Sequence, residues 1–141
     1  PRRDVSLAQL AVEALLEGCI GEGAAAAWAA VAREGANPAA RAVLSTIATD
    51  ELRHATLSWR VLGWALRRDP SLAATVHAAL ENWERTQPLE APQDDRVGLR
   101  DHGILSRHEE RAITAAQVAT VVRPTLEALC SAPAAYPNRL I

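Results

Sequence analysis

The chain has no lysine, methionine or phenylalanine, a single tyrosine and only two cysteines among its 141 residues. Every basic residue is an arginine, and alanine is abundant, which we read as the coding bias of a GC-rich bacterial genome. Without a methionine the sequence does not open at a start codon, so Pro1 is expected to follow a processing step or to derive from a longer polypeptide. Any targeting segment would then lie upstream. Cys19 and Cys130 are far apart and have no Cys-x-x-Cys spacing; they read as small buried hydrophobes and say little about redox compartment. A formal net charge of -2 gives no basic footprint for nucleic acid or for an anionic membrane surface. No run of about 18 apolar residues is free of charge, and no signal-like segment is present, so a soluble and by default cytoplasmic protein is expected. Nowhere do apolar residues alternate with a period of two over a useful length. That leaves an all-α fold, with a core of the size one domain can bury.

Helix punctuation divides the chain. Ser6 followed by Gln9 is a capping-box signature, and helical spacing continues from there to about Arg33. Gly35, Ala36 and Asn37 break the pattern, with Asn37 placed as an N-cap and Pro38 at the first helical position. The second helix is expected from Pro38 to about Arg67. Asp69-Pro70 repeats the punctuation and opens a shorter helix over 70–85. Residues 87–103 read as a long loop. Ser106 with Glu109 starts a last helix, 105–130, that Pro124 should kink, and 132–141 is expected to be an extended or disordered tail.

The centre of the second helix carries the chemistry. Glu51 and His54 form a Glu-x-x-His step, which places a carboxylate and an imidazole one turn apart. Their face also holds Leu44, Ile47, Ala48, Ala55, Ser58, Leu62 and Ala65, whereas Arg41, Asp50, Arg53, Arg60 and Arg67 take the other sides. Both groups are therefore expected to point toward the buried side. An unpaired carboxylate there costs several kcal/mol, so it calls for a partner, and a metal ion is the first candidate. On the first helix Glu22 interrupts the stripe Val12, Leu15, Gly18, Cys19, Ala25, Ala26 and Ala29. In an antiparallel hairpin Glu22 lies about 16 Å and Glu51 about 20 Å from the turn, nearly level. Glu17 is level with His54, so height leaves both glutamates open; the stripe selects Glu22. Gly18 permits close approach by a neighbouring helix or a substrate. Tight helix packing is the simpler use.

A glutamate on one long helix, a short turn, and Glu-x-x-His on its antiparallel partner about 30 residues later resembles half of the ferritin-like, di-iron carboxylate superfamily that includes rubrerythrins. The words Glu17-Gly18-Cys19-Ile20-Gly21-Glu22 and Asp50-Glu51-Leu52-Arg53-His54-Ala55 are similar, more narrowly, to bacterial ferritin-like domain proteins, whose C-terminal half this chain resembles. The likeness covers residues 6–67 and extends weakly to the last helix. It implies a ferritin-like antiparallel bundle in which Glu22, Glu51 and His54 hold one iron or manganese and Glu51 bridges to a second ion. It also implies ferroxidase, peroxidase or oxygenase chemistry.

The departure is that no second Glu and Glu-x-x-His follow residue 67. His77 and Glu81 share a face with Glu84 and Arg85, opposite Leu72, Val76, Leu80 and Trp83; His102 falls in the loop and His108 beside a cap. The expected complement is a second copy of the chain, a separate subunit, or a preceding segment. The competing reading is a non-catalytic helical scaffold or interaction module with a degenerate site, in which an arginine such as Arg123 reaches Glu51 and His54. Trp28, Trp59, Trp64 and Trp83 are expected to pack in an alanine-rich core.

Overall fold

Side-chain caps fix where three of the four helices begin. In the computed structural model, which describes residues 5–88, 96 and 98–131, Ser6 accepts from the Gln9 amide at 3.1 Å and starts α1, Leu7–Gly35. The box is only half made, because the Gln9 side chain bonds Glu13 instead, at 2.8 Å. Asn37 Oδ1 accepts from the amides of Ala39 and Ala40 at 3.1 and 3.0 Å, and Pro38 opens the 31-residue α2, Pro38–Arg68. The third helix, α3, spans Leu72–Thr86 and so starts later than Pro70. Asp69 Oδ1 takes the Ser71 amide and hydroxyl, holding Pro70 and Ser71 in a turn before the helix. Arg100–His102 is a single 3-10 turn in the expected loop. The last helix, α4, covers 107–131, and its Ser106–Glu109 box is reciprocal. The described residues are thus four helices with no strand. The predicted tail over 132–141, and residues 89–95 and 97 of the predicted loop, lie outside the described residues.

Two helices carry π-type turns. In α1 the segment Ala14–Glu22 is π-helical, and Glu22 is its last residue. In α4 the segment Val118–Val122 is π-helical just before Pro124. Proline cannot donate to the carbonyl four residues back and its ring crowds that carbonyl, so a widened turn upstream lets the helix continue past it to Ser131.

α1 is the central element, packed on α2, α3 and α4. By length and composition alone it is apolar enough to cross a bilayer. Its contacts with three helices account for that apolarity. Toward its N-terminal end Ala11, Leu15, Cys19 and Ile20 join Leu62, Ala65 and Leu66 of α2, Leu72, Val76 and Leu80 of α3, and Val118, Val122 and Leu126 of α4 in one core. Toward the turn, buried Ala24, Ala26, Ala29 and Ala32 let α2 and the start of α4 come close. Both cysteines are free thiols. Burial pushes Cys19 up to about 12, the behaviour of a small hydrophobe.

The tryptophans divide. Trp59 and Trp83 pack against the core. Trp28 donates its indole N–H to Glu110 O at 2.9 Å and Thr114 Oγ1 at 3.1 Å, tying α1 to α4. Trp64 departs from the core expectation and is half exposed.

Candidate metal centre

Glu22, Glu51 and His54 come together in the middle of the α1–α2 hairpin. One ligand atom from each lies within 4.8 Å of the others, and among the described residues no other group of three or more His, Cys, Asp and Glu does so. His54 Nδ1 is 3.2 Å from Glu51 Oε2, the contact that a three-residue helical step provides. Glu22 enters from α1 at the end of its π segment. Glu17, one turn earlier, points to solvent and takes no part.

The electrostatics of the carboxyl pair are lopsided. The hydrogen bond to Glu51 raises the Glu22 carboxyl above its ordinary value, and partial desolvation adds to it. Glu51 is held below its ordinary value because it accepts from Glu22 and then from His54. The pair is thus pushed apart, Glu22 toward its protonated form and Glu51 toward its ionised form. Carboxyls set this close are balanced by one proton held between them or by a cation.

The expectation that both Glu51 and His54 face the buried side needs correction. The Glu51 side chain retains 26% of its exposure and that of His54 61%. On the same face Ala55, Leu62 and Ala65 are buried, but Ile47 is 39% exposed. α1 covers one flank of α2 only, so the imidazole stands at the open edge of that contact. Arg123, the arginine expected to reach the pair in the scaffold reading, bonds both carboxylate oxygens of Glu84 at 2.7 and 2.6 Å instead. His77 is half-buried and Glu81 exposed on α3, while His102 and His108 are exposed; none joins the group.

Two features were not legible in the sequence. Gln117 of α4 donates its amide to the carbonyl of Cys19 at 3.1 Å. It does so where the π segment ends and the Gly23 N–H turns back to Ile20 O. The Gln117 amide packs against Gly23 so tightly that a side chain there would displace it. Nothing in the sequence around Gln117 separates it from a solvated glutamine. The glycines at 18, 21 and 23 were the one sign of an irregular helix. The second feature is a cavity of about 800 Å³ between α1, α3 and α4, lined by Leu16, Ile20, Trp28, Trp83, Val118 and Arg123 among others, with none of the three clustered residues in its wall.

Chemically the donor set is two hard carboxylate oxygens and one borderline nitrogen, a combination suited to iron or manganese. Glu22, Glu51 and His54 would hold an ion through three donors, fewer than iron or manganese takes, and water or a substrate would supply the rest. The residues present fit one ion; a second would need donors from elsewhere. No protein-family model, no curated protein and no solved structure matches the chain, so its functional reading rests on the arrangement of Glu22, Glu51 and His54.

Proposed function

We propose that this chain is half of a ferritin-like carboxylate metal protein, binding iron or manganese through Glu22, Glu51 and His54 and acting as an oxidoreductase once a second half supplies the matching ligands. The observation that carries this is the convergence of two carboxylates and an imidazole from two helices within 4.8 Å. The π segment ending at Glu22 supports it, since such widened turns gather at functional sites. Two adjacent ions, when bound, supply activation of dioxygen or peroxide, which is the basis for a ferroxidase, peroxidase or oxygenase class. The residues of this chain hold and orient. Glu22 gives up its shared proton on binding, Glu51 presents an oxygen already negative, and its contact with Glu51 fixes the ring of His54.

A non-catalytic scaffold is the second reading, favoured by one fact: Glu51 has hydrogen-bond partners within the chain, in Glu22 and His54. Elemental analysis of the full chain purified without chelators separates the two. About one iron or manganese per chain is expected, lost in Glu51→Ala with helicity retained. Stoichiometric metal in that variant, or none in the parent protein, would falsify the metal reading.

A further inference from the structure

The outer face of α2 carries a second pattern. Positions 40, 43, 47, 50, 54, 57, 61 and 64 follow the alternating three-and-four spacing of one helical seam. Along that seam Val43, Ile47, Leu57 and Trp64 are 59, 39, 60 and 50% exposed, a large apolar content for one exposed helix face. Asp50 and His54 sit in the middle of it, both exposed.

The seam is self-complementary. Its members pair off at equal distances from Leu52: Ile47 with Leu57, Val43 with Val61, Asp50 with His54, and Ala40 with Trp64. If two copies of α2 lie antiparallel about a two-fold axis level with Leu52, these pairs meet across the interface. Aliphatic residues then face aliphatic residues. The largest side chain of the seam faces the smallest, which is how facing helices fill a uniform gap. Each Asp50 carboxylate meets a ring N–H donor of His54 rather than another carboxylate. A parallel pairing would instead set Asp50 against Asp50 and Trp64 against Trp64.

We propose that this face docks a second copy of the chain, antiparallel, in the register that centres on Leu52. The pairing itself rests on the seam alone; its consequence for the metal rests on the metal-binding reading above. In this register the two Glu51 residues differ in axial height by about 3 Å and the two His54 residues by about 6 Å. Each copy thus brings its carboxylate–imidazole group to the open side of the other, and the missing Glu and Glu-x-x-His are those of the partner copy.

The test uses the full chain in EDTA, where metal plays no part. Sedimentation equilibrium at about 100 µM should give twice the chain mass of 15.1 kDa. Leu57→Glu should return it to one mass with unchanged circular dichroism, since Leu57 is exposed. Register is read by disulfide formation in a Cys130→Ser background. Ile47→Cys and Leu57→Cys chains should cross-link when mixed, and neither should do so alone, because like positions stand about 15 Å apart, beyond disulfide reach. A single-chain mass, a dimer that survives Leu57→Glu, or cross-linking by either variant alone at the rate of the mixture overturns the proposal. Metal titration of Leu57→Glu keeps the two readings apart. Metal bound by a chain that never dimerises leaves the first reading standing without this one, and a dimer that binds no metal does the reverse.

Discussion

Gly18 of α1 and Ser58 of α2 meet where the two helices cross, and a Cβ at position 18 would overlap both Oγ and Cβ of Ser58. Of the two uses open to this glycine, close approach of a neighbouring helix is the one that the structure displays. Because the overlap involves Cβ as well as the hydroxyl, a rotamer change of Ser58 does not relieve it and the helices must part. Gly18→Ala is therefore expected to cost about 1–3 kcal/mol despite the better helix propensity of alanine. Ser58→Gly should recover part of that loss, giving a non-additive double-mutant cycle in urea unfolding. Additive effects would show that the contact is loose.

The Glu22–Glu51 pair makes the metal-free protein respond to pH in a specific way. The Glu22 carboxyl is raised by its bond to Glu51, so its contribution is full below the ordinary glutamate value and is lost as pH rises through the raised one. That of Glu51, lowered by Glu22 and His54, is present above the ordinary value and is lost as pH falls through the lowered one. Stabilisation from the pair thus peaks where one proton is shared. Glu22→Gln keeps a donor toward Glu51 and cannot ionise. As pH rises above the ordinary glutamate value the unfolding midpoint of the parent protein should fall relative to that variant; parallel curves would contradict the raised Glu22 carboxyl.

Metal uptake should run the other way with pH. Glu22 must release its proton to ligate, so affinity for Mn(II) is expected to rise with pH above the ordinary carboxylate range and uptake to release protons. Calorimetry in buffers of different ionisation enthalpy measures that release. Glu22→Gln should lose both the metal and the proton signal.

The start of α4 gives an independent acid-sensitive element. Glu109 is held below its ordinary value first by the Ser106 backbone N–H, at 2.9 Å, then by the Ser106 hydroxyl, with the Arg100 guanidinium adding to them. The sign follows from the lowered value: its contribution is present above the ordinary glutamate value and disappears as pH falls through the lowered one. Ser106→Ala should cost about 1 kcal/mol at neutral pH, and Glu109→Gln should flatten the acid limb of the stability profile. The readout is the unfolding midpoint from pH 3 to 7.

Arg123 and Glu84 join α4 to α3 at the surface, with 44 and 33% of their side chains exposed. Their pairing raises the Arg123 guanidinium, through the bond to Glu84 first and the surrounding carboxylates next. A pair this exposed is worth about 0.2–1 kcal/mol. Arg123→Ala should therefore shift the melting temperature little and leave bound metal unchanged. Loss of metal in that variant would contradict the separation of Arg123 from the Glu22, Glu51 and His54 cluster.

The local chemistry of the chain determined where three of the four helices begin and how near Glu51 stands to His54. Asn37 before Pro38, Ser106 before Glu109, and a three-residue step within one helix act over a single turn, where backbone geometry leaves little freedom. Tertiary structure decided the rest. It left His54 at an open edge because α1 covers only one flank of α2, paired Arg123 with Glu84, and left Trp64 half exposed. It also widened α1 from Ala14 to Glu22, where the Gln117 amide, 98 positions away in sequence, takes the carbonyl of Cys19. A helical period specifies which residues share a face, but which part of that face is covered depends on what packs against it, and that is a property of contacts distant in sequence.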